Sequence, residues 1–240
     1  MRSVQFIFID WIPNSLVWSG SIFMSNNMPS AEQRALMNPK RHQSPYLMSR
    51  TKRSIDILVG VVGLFFTFFV YIPVAILVKL DSRGPVFYRQ TRLGLNGREF
   101  RLIKFRTMVF DAEKSNGPSW AVQNDPRITR VGKLLRRLYL DEFPQWWNVI
   151  KGDMSLVGPR PERPELTELI TDTYPKFSIR LEAKPGITGL AQTEYRYTNS
   201  IAESRHKLNY DQRYMSHASV ALDAWVVLRT FRRVLLRRGT

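Results

Sequence analysis

Residues 57–78 read ILVGVVGLFFTFFVYIPVAILV, 22 consecutive residues without a charged side chain. About 20 apolar residues are what a helix needs to cross a bilayer, and a buried core helix of that length would normally show a polar face. Lys52 and Arg53 precede the run and Lys79 follows it. Because positively charged flanks tend to stay in the cytoplasm, we expect a re-entrant membrane helix that breaks at Pro73. A single pass is the alternative.

The chain as a whole carries a large surplus of positive charge. Among 240 residues, 36 Lys and Arg oppose 20 Asp and Glu, so the formal net charge is +16, while 44% of the residues are hydrophobic. Such a chain can bury a core, and its charge requires anionic partners: lipid head groups, phosphorylated substrates or nucleic acid. The absence of cysteine excludes disulfides, a thiol nucleophile and Cys-ligated metal sites.

The pattern of apolar residues divides the chain into three parts: an N-terminal extension of unknown role (1–50), the membrane helix (51–80) and a cytoplasmic domain (81–240). Asn96-Gly97, between two strand-like segments, predicts a β-hairpin. Helical spacing of apolar residues then predicts helices over 128–139, 142–150, 164–181 with a break near 174–175, 203–214 and 219–236. The expected fold class is α+β, mainly helical, with a small β-hairpin.

The last predicted helix has an apolar face, and five arginines lie in its second half and just beyond its end, namely Arg229, Arg232, Arg233, Arg237 and Arg238. This pattern is typical of an amphipathic helix that lies in the head-group layer of an anionic membrane. The alternative is a core helix whose basic end is solvated and favoured by the helix dipole.

Two short motifs could carry chemistry. Leu140 to Gln145 reads LDEFPQ, in which Asp141 and Glu142 could simply cap a helix. Gly158 to Glu162 reads GPRPE, in which two prolines fix the backbone around an arginine suited to gripping phosphate. Adjacent carboxylates point about 100° apart on a helix, which is poor geometry for a glycosidase pair. One can instead act as nucleophile while the other holds Mg²⁺ with substrate phosphates.

These motifs belong to a longer series. The chain carries, in order, Lys52-Arg53, KFRTM at 104–108, LDEFPQ at 140–145, NVIKGDMSLVGPRP at 148–161 and KPGITGLAQ at 184–192. Together they closely resemble the bacterial sugar transferase family, the small polyisoprenyl-phosphate hexose-1-phosphate transferases. The resemblance runs from about Lys52 to the C-terminus.

This resemblance implies a monotopic enzyme with a re-entrant helix, its catalytic domain on the cytoplasmic face of the bacterial inner membrane. Such an enzyme transfers a sugar 1-phosphate from a nucleotide diphospho-sugar to undecaprenyl phosphate with the help of Mg²⁺, and so starts an exopolysaccharide, O-antigen, capsule or glycoconjugate. It further implies that Asp141 is the nucleophile and Glu142 the Mg²⁺ ligand, with Asp141 as a second candidate ligand. Substrate phosphate is expected at Arg136, Arg160, Lys104 and Arg106, and site-shaping roles at Pro159, Pro161 and Asp153.

The chain departs from the family pattern at two places. Many members have Ser-Pro where Phe68-Phe69 stand here, and Trp where Leu190 stands. The first difference bears on the helix break and the second on substrate contacts.

Two other functions stay open as alternatives: a membrane-anchored glycosyltransferase that moves the sugar without its phosphate, and a basic membrane-bound nucleic-acid-binding protein. The basic residues lack the regular aromatic interleaving of a single-strand groove, so no nucleic-acid partner is expected. The length of the apolar surface favours self-association as a homo-oligomer.

Overall fold

The computed structural model describes residues 43–112, 125–195 and 201–236. Most of the expected N-terminal extension, residues 1–42, lies outside these ranges, as do Arg237 and Arg238 at the basic end of the chain.

The apolar run forms the middle of one long helix, α1 (Arg50–Asp81), which has 32 residues. Ser49 caps its first turn by accepting a hydrogen bond from the backbone N–H of Lys52 at 3.1 Å. The helix continues through Pro73, so the break predicted at that residue is wrong. A proline removes one backbone donor, and here valines on both sides of it, Val70 and Val74, pack onto the same hydrophobic cluster.

Helix α1 presents two different faces. One stripe is buried against the domain along the whole length of the helix and consists of Lys52, Asp56, Gly60, Thr67, Val74 and Val78. The opposite face is apolar and exposed and includes Leu58, Phe65, Phe66, Phe68, Phe69, Ile72 and Leu80. By length and composition the helix could cross a bilayer, and only 17% of its most apolar window is buried within the protein.

The predicted hairpin is confirmed. Strands β1 (Phe87–Leu93) and β2 (Glu99–Phe105) pair antiparallel, with Phe87 opposite Phe105 at the open end. Asn96 and Gly97 form the turn with φ angles of 56° and 74°, the left-handed region that Asn and Gly tolerate best. The rings of Phe87 and Phe105 stack at 5.5 Å, and Tyr71 of α1 stacks on Phe87, which docks the hairpin on the helix.

The remaining elements confirm a mainly helical α+β fold. They are, in chain order, a 3₁₀ helix (Pro45–Met48), a 3₁₀ turn within the hairpin (Leu95–Gly97), α2 (Arg130–Arg137), a 3₁₀ helix (Leu140–Gln145), α3 (Trp146–Lys151), β3 (Ser155–Val157), α4 (Pro164–Thr173), a 3₁₀ helix (Pro175–Glu182), β4 (Gly186–Thr188), α5 (Leu190–Glu194), α6 (Ile201–His217) and α7 (Val220–Leu236). Strands β3 and β4 pair in parallel. The helix predicted over 142–150 is therefore a 3₁₀ turn followed by a short α-helix.

A buried polar network ties the start of α1 to α7 and β3. The Nζ of Lys52 donates to Asp223 at 2.7 Å and to the carbonyl of Val157 at 3.2 Å. Asp56, one turn further along α1, accepts from the backbone N–H of Leu156 at 2.9 Å and from the hydroxyl of Ser155 at 3.0 Å. The network thus holds strand β3, whose next residues are the GPRPE motif.

Candidate active site

The Asp141–Glu142 pair lies on the 3₁₀ helix that follows α2. Tyr139, with a φ of 56°, occupies the N-cap position, and its side chain does not cap the 3₁₀ helix. Asp141 is therefore inside the turn and does not cap it. The hydroxyl of Thr67 in α1 donates to the carbonyl of Phe143 at 3.3 Å, so the 3₁₀ helix that carries the pair lies against α1.

Glu142 is held by two cations. Its Oε1 accepts from the Nζ of Lys104 at 2.7 Å and from Nη2 of Arg160 at 3.0 Å. Burial would raise the pKa of the carboxyl, but the two positive charges and their hydrogen bonds outweigh burial and lower the pKa of Glu142 to about 2. Glu142 is therefore ionised at any physiological pH.

Asp141 is in the opposite situation. Only 8% of the residue is exposed, and within the described ranges its carboxylate has no hydrogen bond or ion pair. Burial raises the pKa of Asp141, the neighbouring Glu142 adds to the rise, and Lys104, Arg136 and Arg160 oppose it. Two adjacent carboxyls whose pKa values shift in opposite directions are suited to different tasks.

The backbone of the Pro-Arg-Pro segment, residues 159–161, is fixed at all three carbonyls. Pro159 O accepts from the backbone N–H of Gly186 at 2.9 Å, Arg160 O accepts from Arg180 at 2.9 Å, and Pro161 O accepts from Arg92 at 3.1 Å. The side chain of Arg160 thus contacts Glu142 from a fixed backbone, which is what the two flanking prolines predict.

Arg136, in the last turn of α2, lies on another side of the pair. Its Nε donates to the hydroxyl of Thr107 at 2.9 Å, and its charge is close enough to affect Asp141. The structure therefore brings Asp141, Glu142, Lys104, Arg136 and Arg160 together.

Two predicted site residues make contacts of a different kind. Arg106 is buried, and its guanidinium donates to the carbonyls of Pro85 (2.6 Å) and Ser82 (2.9 Å) and to the Ser82 hydroxyl. These contacts use its donors at the end of α1 and in the chain after it, while the residue also lines the cavity described next, so the phosphate-binding role expected for Arg106 stays a prediction. Asp153 pairs with Lys151 at 3.1 Å, outside the residues that line the cavity described next.

A cavity of about 1590 Å³ opens at the Asp141–Glu142 pair. One wall is apolar and comes from the helices α1 and α7, with Val59, Val62, Phe66, Val70, Val227, Phe231 and Val234. Another part of the lining, which we call the basic wall, carries Arg92 of β1, Arg163 directly before α4, Arg180 of the 3₁₀ helix Pro175–Glu182 and Lys207 of α6. Asp141 and Glu142 line the same cavity.

The basic wall was not predicted from the sequence. Arg163 follows the GPRPE motif directly and could have been noticed for that reason, whereas Arg92 and Lys207 lie 69 residues before and 46 residues after Pro161. Arg92 and Lys207 come close to Arg163 only through the fold, because Arg92 lies in β1 and Lys207 in α6.

The residues of the pair are compatible with a Mg²⁺ ion. Within the described ranges there is no group of three or more His, Asp or Glu that could hold a metal by itself. Mg²⁺, however, is commonly held by one or two carboxylates plus substrate phosphates. Both cation contacts of Glu142 are made by Oε1, so its Oε2 remains for such an ion, beside the carboxylate of Asp141.

The amino-acid sequence is similar to those of known proteins. The profile of the bacterial sugar transferase family matches residues 47–237. A protein of Aeromonas hydrophila named UDP-N-acetylgalactosamine-undecaprenyl-phosphate N-acetylgalactosaminephosphotransferase is 40% identical over 188 residues, which cover 78% of this chain and 44% of that protein.

Two further relatives differ in length. The exopolysaccharide production protein ExoY of Sinorhizobium fredii is 37% identical over 204 residues, covering 79% of this chain and 88% of the relative. The UDP-glucose:undecaprenyl-phosphate glucose-1-phosphate transferase of Escherichia coli is 39% identical over 181 residues, covering 75% and 39%. This chain therefore spans less than half the length of the Aeromonas and Escherichia proteins and most of the length of ExoY.

Proposed function

The chain belongs to the bacterial sugar transferase family, and from that premise we propose that it transfers a sugar 1-phosphate from a UDP-sugar to undecaprenyl phosphate. The names of the Aeromonas and Escherichia relatives state this type of transfer. The name of the ExoY relative links it to exopolysaccharide production, so we place the product at the start of a surface polysaccharide.

The proposal rests on the different surroundings of the Asp141 and Glu142 carboxyl groups. Glu142 is held by Lys104 and Arg160, whereas Asp141 faces the cavity with a raised pKa and no partner in the part of the chain that the structure describes. An unpaired carboxylate next to fixed cations is what nucleophilic attack on an anionic phosphate requires, since the cations offset the repulsion.

The proposed reaction has two steps. In the first, a carboxylate oxygen of Asp141 attacks the phosphorus that bears the sugar, and the bond from that phosphorus to the bridging oxygen breaks. The nucleoside monophosphate leaves with the bonding electron pair. In the second, a phosphate oxygen of the lipid attacks the same phosphorus and releases the Asp141 carboxylate. Arg160, Arg136 and Lys104 are placed to stabilise the charge that develops on the phosphoryl oxygens.

Magnesium is part of the proposal. Oε2 of Glu142, with Asp141 as the second candidate, would hold Mg²⁺ together with substrate phosphate oxygens. When bound, the ion supplies positive charge that neutralises the diphosphate.

We also propose a membrane location with both ends of α1 on the same side. Arg53 at its start donates to the carbonyl of Val149 at 2.7 Å, Thr67 near its middle reaches Phe143, and Val78 near its end is buried in the domain. A helix that contacts one domain along its whole length cannot thread the bilayer while the domain stays in water. Its exposed apolar face would therefore enter the bilayer from the cytoplasmic side.

Helix α7 provides a second contact with the membrane surface. Leu228, Phe231 and Leu235 are exposed, and the guanidinium of Arg229 lies 4.9 Å from the ring centre of Trp225. An exposed apolar row with tryptophan and arginines is suited to anionic head groups.

Replacement of Asp141 tests the reaction. The Asp141→Asn variant should lose Mg²⁺-dependent release of nucleoside monophosphate and the protein-bound phosphosugar formed from labelled donor. Asp172→Asn, an exposed residue of α4, is the matched control and should retain both. Undiminished turnover in Asp141→Asn would refute the proposed nucleophile, and release of nucleoside diphosphate by the wild type would favour the glycosyltransferase alternative.

Labelling tests the topology cleanly, because the chain has no cysteine. Single cysteines at the exposed charged positions Arg50 and Lys79 should both react with an impermeant reagent from the cytoplasmic side only. Labelling from opposite sides would show a helix that spans the membrane.

A further inference from the structure

Strand β2, which carries Lys104, has an edge that no other strand covers. Within the described residues, β1 is the only strand that pairs with β2. At the opposite edge, the side chain of Asn148 binds the strand. Its Oδ1 accepts from the backbone N–H of Ile103 at 3.2 Å, and its Nδ2 donates to the carbonyl of Arg101 at 2.8 Å.

The amide of Asn148 acts as the backbone of a neighbouring strand would. Backbone groups of residues two apart in a strand point to the same side, and an asparagine amide offers an acceptor and donors in one plane. One side chain therefore satisfies both Ile103 and Arg101. Nδ2 also donates to Oδ2 of Asp153 at 3.4 Å, which favours the orientation in which the amide nitrogen faces Arg101.

Asn148 is itself fixed in place. Only 1% of the residue is exposed, and its carbonyl accepts from the backbone N–H groups of Gly152 at 3.1 Å and Met154 at 3.2 Å. Its helix, α3, begins at Trp146, directly after the 3₁₀ helix that carries Asp141 and Glu142. The position of Asn148 is therefore tied to the position of the pair.

This link joins the two elements that meet at the pair. Lys104 follows Ile103 in β2, and its Nζ donates to Oε1 of Glu142 at 2.7 Å. One partner of this contact thus stands on the strand that Asn148 binds, and the other stands on the helical segment that leads into Asn148.

Apolar packing also joins the strand to the 3₁₀ helix, but it is less specific. Phe105, the residue after Lys104, belongs to a buried cluster against which Leu140 and Phe143 pack. Apolar contacts have no preferred direction, whereas hydrogen bonds weaken steeply when their geometry changes. The two hydrogen bonds of Asn148 therefore set the register of β2 along the helix.

We infer that Asn148 is a positioning residue for the transfer reaction, because its side chain sets the place of Lys104 beside Glu142. This inference rests on the proposed function, in which Lys104 stabilises the charge that develops on the phosphoryl oxygens. Asn148 does not line the cavity, so it acts through Lys104 and not by contact with substrate.

A kinetic double-mutant cycle tests the inference. Asn148→Leu keeps a side chain of similar volume and removes both hydrogen bonds to β2. It should lower kcat about 10- to 100-fold, since a small displacement of a catalytic group has effects of this size, and leave KM for the UDP-sugar unchanged. In a Lys104→Met background the same replacement should lower kcat no further, because the group that it displaces is already absent.

Two more variants complete the cycle. Lys151→Gln, at an exposed position of α3, is the control and should change neither kcat nor KM. Asn148→Asp keeps the size and the acceptor but loses the N–H that is donated to Arg101, so it should give the same pattern with a smaller loss. It replaces Asn148→Leu in the cycle if that variant does not fold. The amount of protein-bound phosphosugar formed in a single burst counts the active sites, so that kcat is expressed per folded site.

Equal fold losses of kcat in the wild-type and Lys104→Met backgrounds would overturn the inference, because Asn148 would then support the fold without acting through Lys104. An unchanged kcat in Asn148→Leu would overturn it as well.

Thermal unfolding separates failure of the inference from failure of the proposed function, because it needs no turnover. Lys104→Met should lower Tm in the wild type and much less in Asn148→Leu, where Lys104 no longer meets Glu142. Equal shifts of Tm in the two backgrounds would count against the positioning role. A wild type that releases no nucleoside monophosphate would refute the proposed function, and the Tm shifts would still decide whether Asn148 places Lys104.

Discussion

The buried pair of Lys52 and Asp223 is expected to fasten the first turn of α1 to the domain. Their side chains are only 4% and 7% exposed, and Nζ lies 2.7 Å from Oδ2. At an effective dielectric constant of about 20, two unit charges at this distance attract by roughly 6 kcal/mol, and desolvation of both offsets much of that. Removing one partner leaves the other charge buried, which costs about 3–5 kcal/mol.

We therefore expect Lys52→Met to lower the free energy of unfolding by about 3–5 kcal/mol and Tm by roughly 6–20 °C. Asp223→Asn should be similarly destabilising. The double variant should lose less than the sum of the two, with a coupling energy above about 1 kcal/mol. Thermal and denaturant unfolding in detergent, followed by circular dichroism, measures all three.

Arg50→Met is the control, since Arg50 is exposed in the same turn of α1 and should change stability by no more than about 0.5 kcal/mol. Strict additivity, or a Lys52→Met variant as stable as the control, would refute the view that the pair holds the helix.

Three further predictions concern the site and α1. Burial and the charge of Glu142 raise the pKa of Asp141 above the 3.8 of a free carboxyl. Because the nucleophile must be ionised, turnover should fall as the pH drops through this raised pKa. A pH–rate profile that stays flat down to pH 3.8 would contradict the prediction. Arg106→Gln removes the hydrogen bonds that the guanidinium donates at the end of α1, so it should lower the free energy of unfolding by about 1.5–3 kcal/mol without changing KM for the UDP-sugar. Wild-type stability together with a raised KM for the UDP-sugar would instead support a phosphate-binding role for Arg106. Gly63→Ala places a Cβ against the ring of Trp146 and should cost about 1–3 kcal/mol; a variant with the wild-type Tm would show that the ring can move aside.

Local sequence was sufficient for several features of the fold. The apolar run predicted α1 and Asn96-Gly97 predicted the hairpin turn, because each depends on residues close together in the chain. The break at Pro73 was mispredicted for the same reason. A proline signals a lost backbone donor, but the packing of Val70 and Val74 on either side of it depends on the rest of the domain.

The candidate site shows the same division. The sequence by itself placed two carboxylates side by side and put Arg160 on a rigid backbone. Only the tertiary structure decided that Lys104, 38 residues earlier, meets Glu142 and leaves Asp141 unpaired within the described ranges. It also turned Arg106, two residues beyond Lys104, towards the end of α1.

The physical reason is that residue type and spacing determine which chemistry a chain can offer, whereas pKa values and charge balance depend on distances between groups that are remote in sequence. The motifs specified the reacting groups. The packing of β2 and of the Pro-Arg-Pro segment around them determined which carboxyl is neutralised by cations.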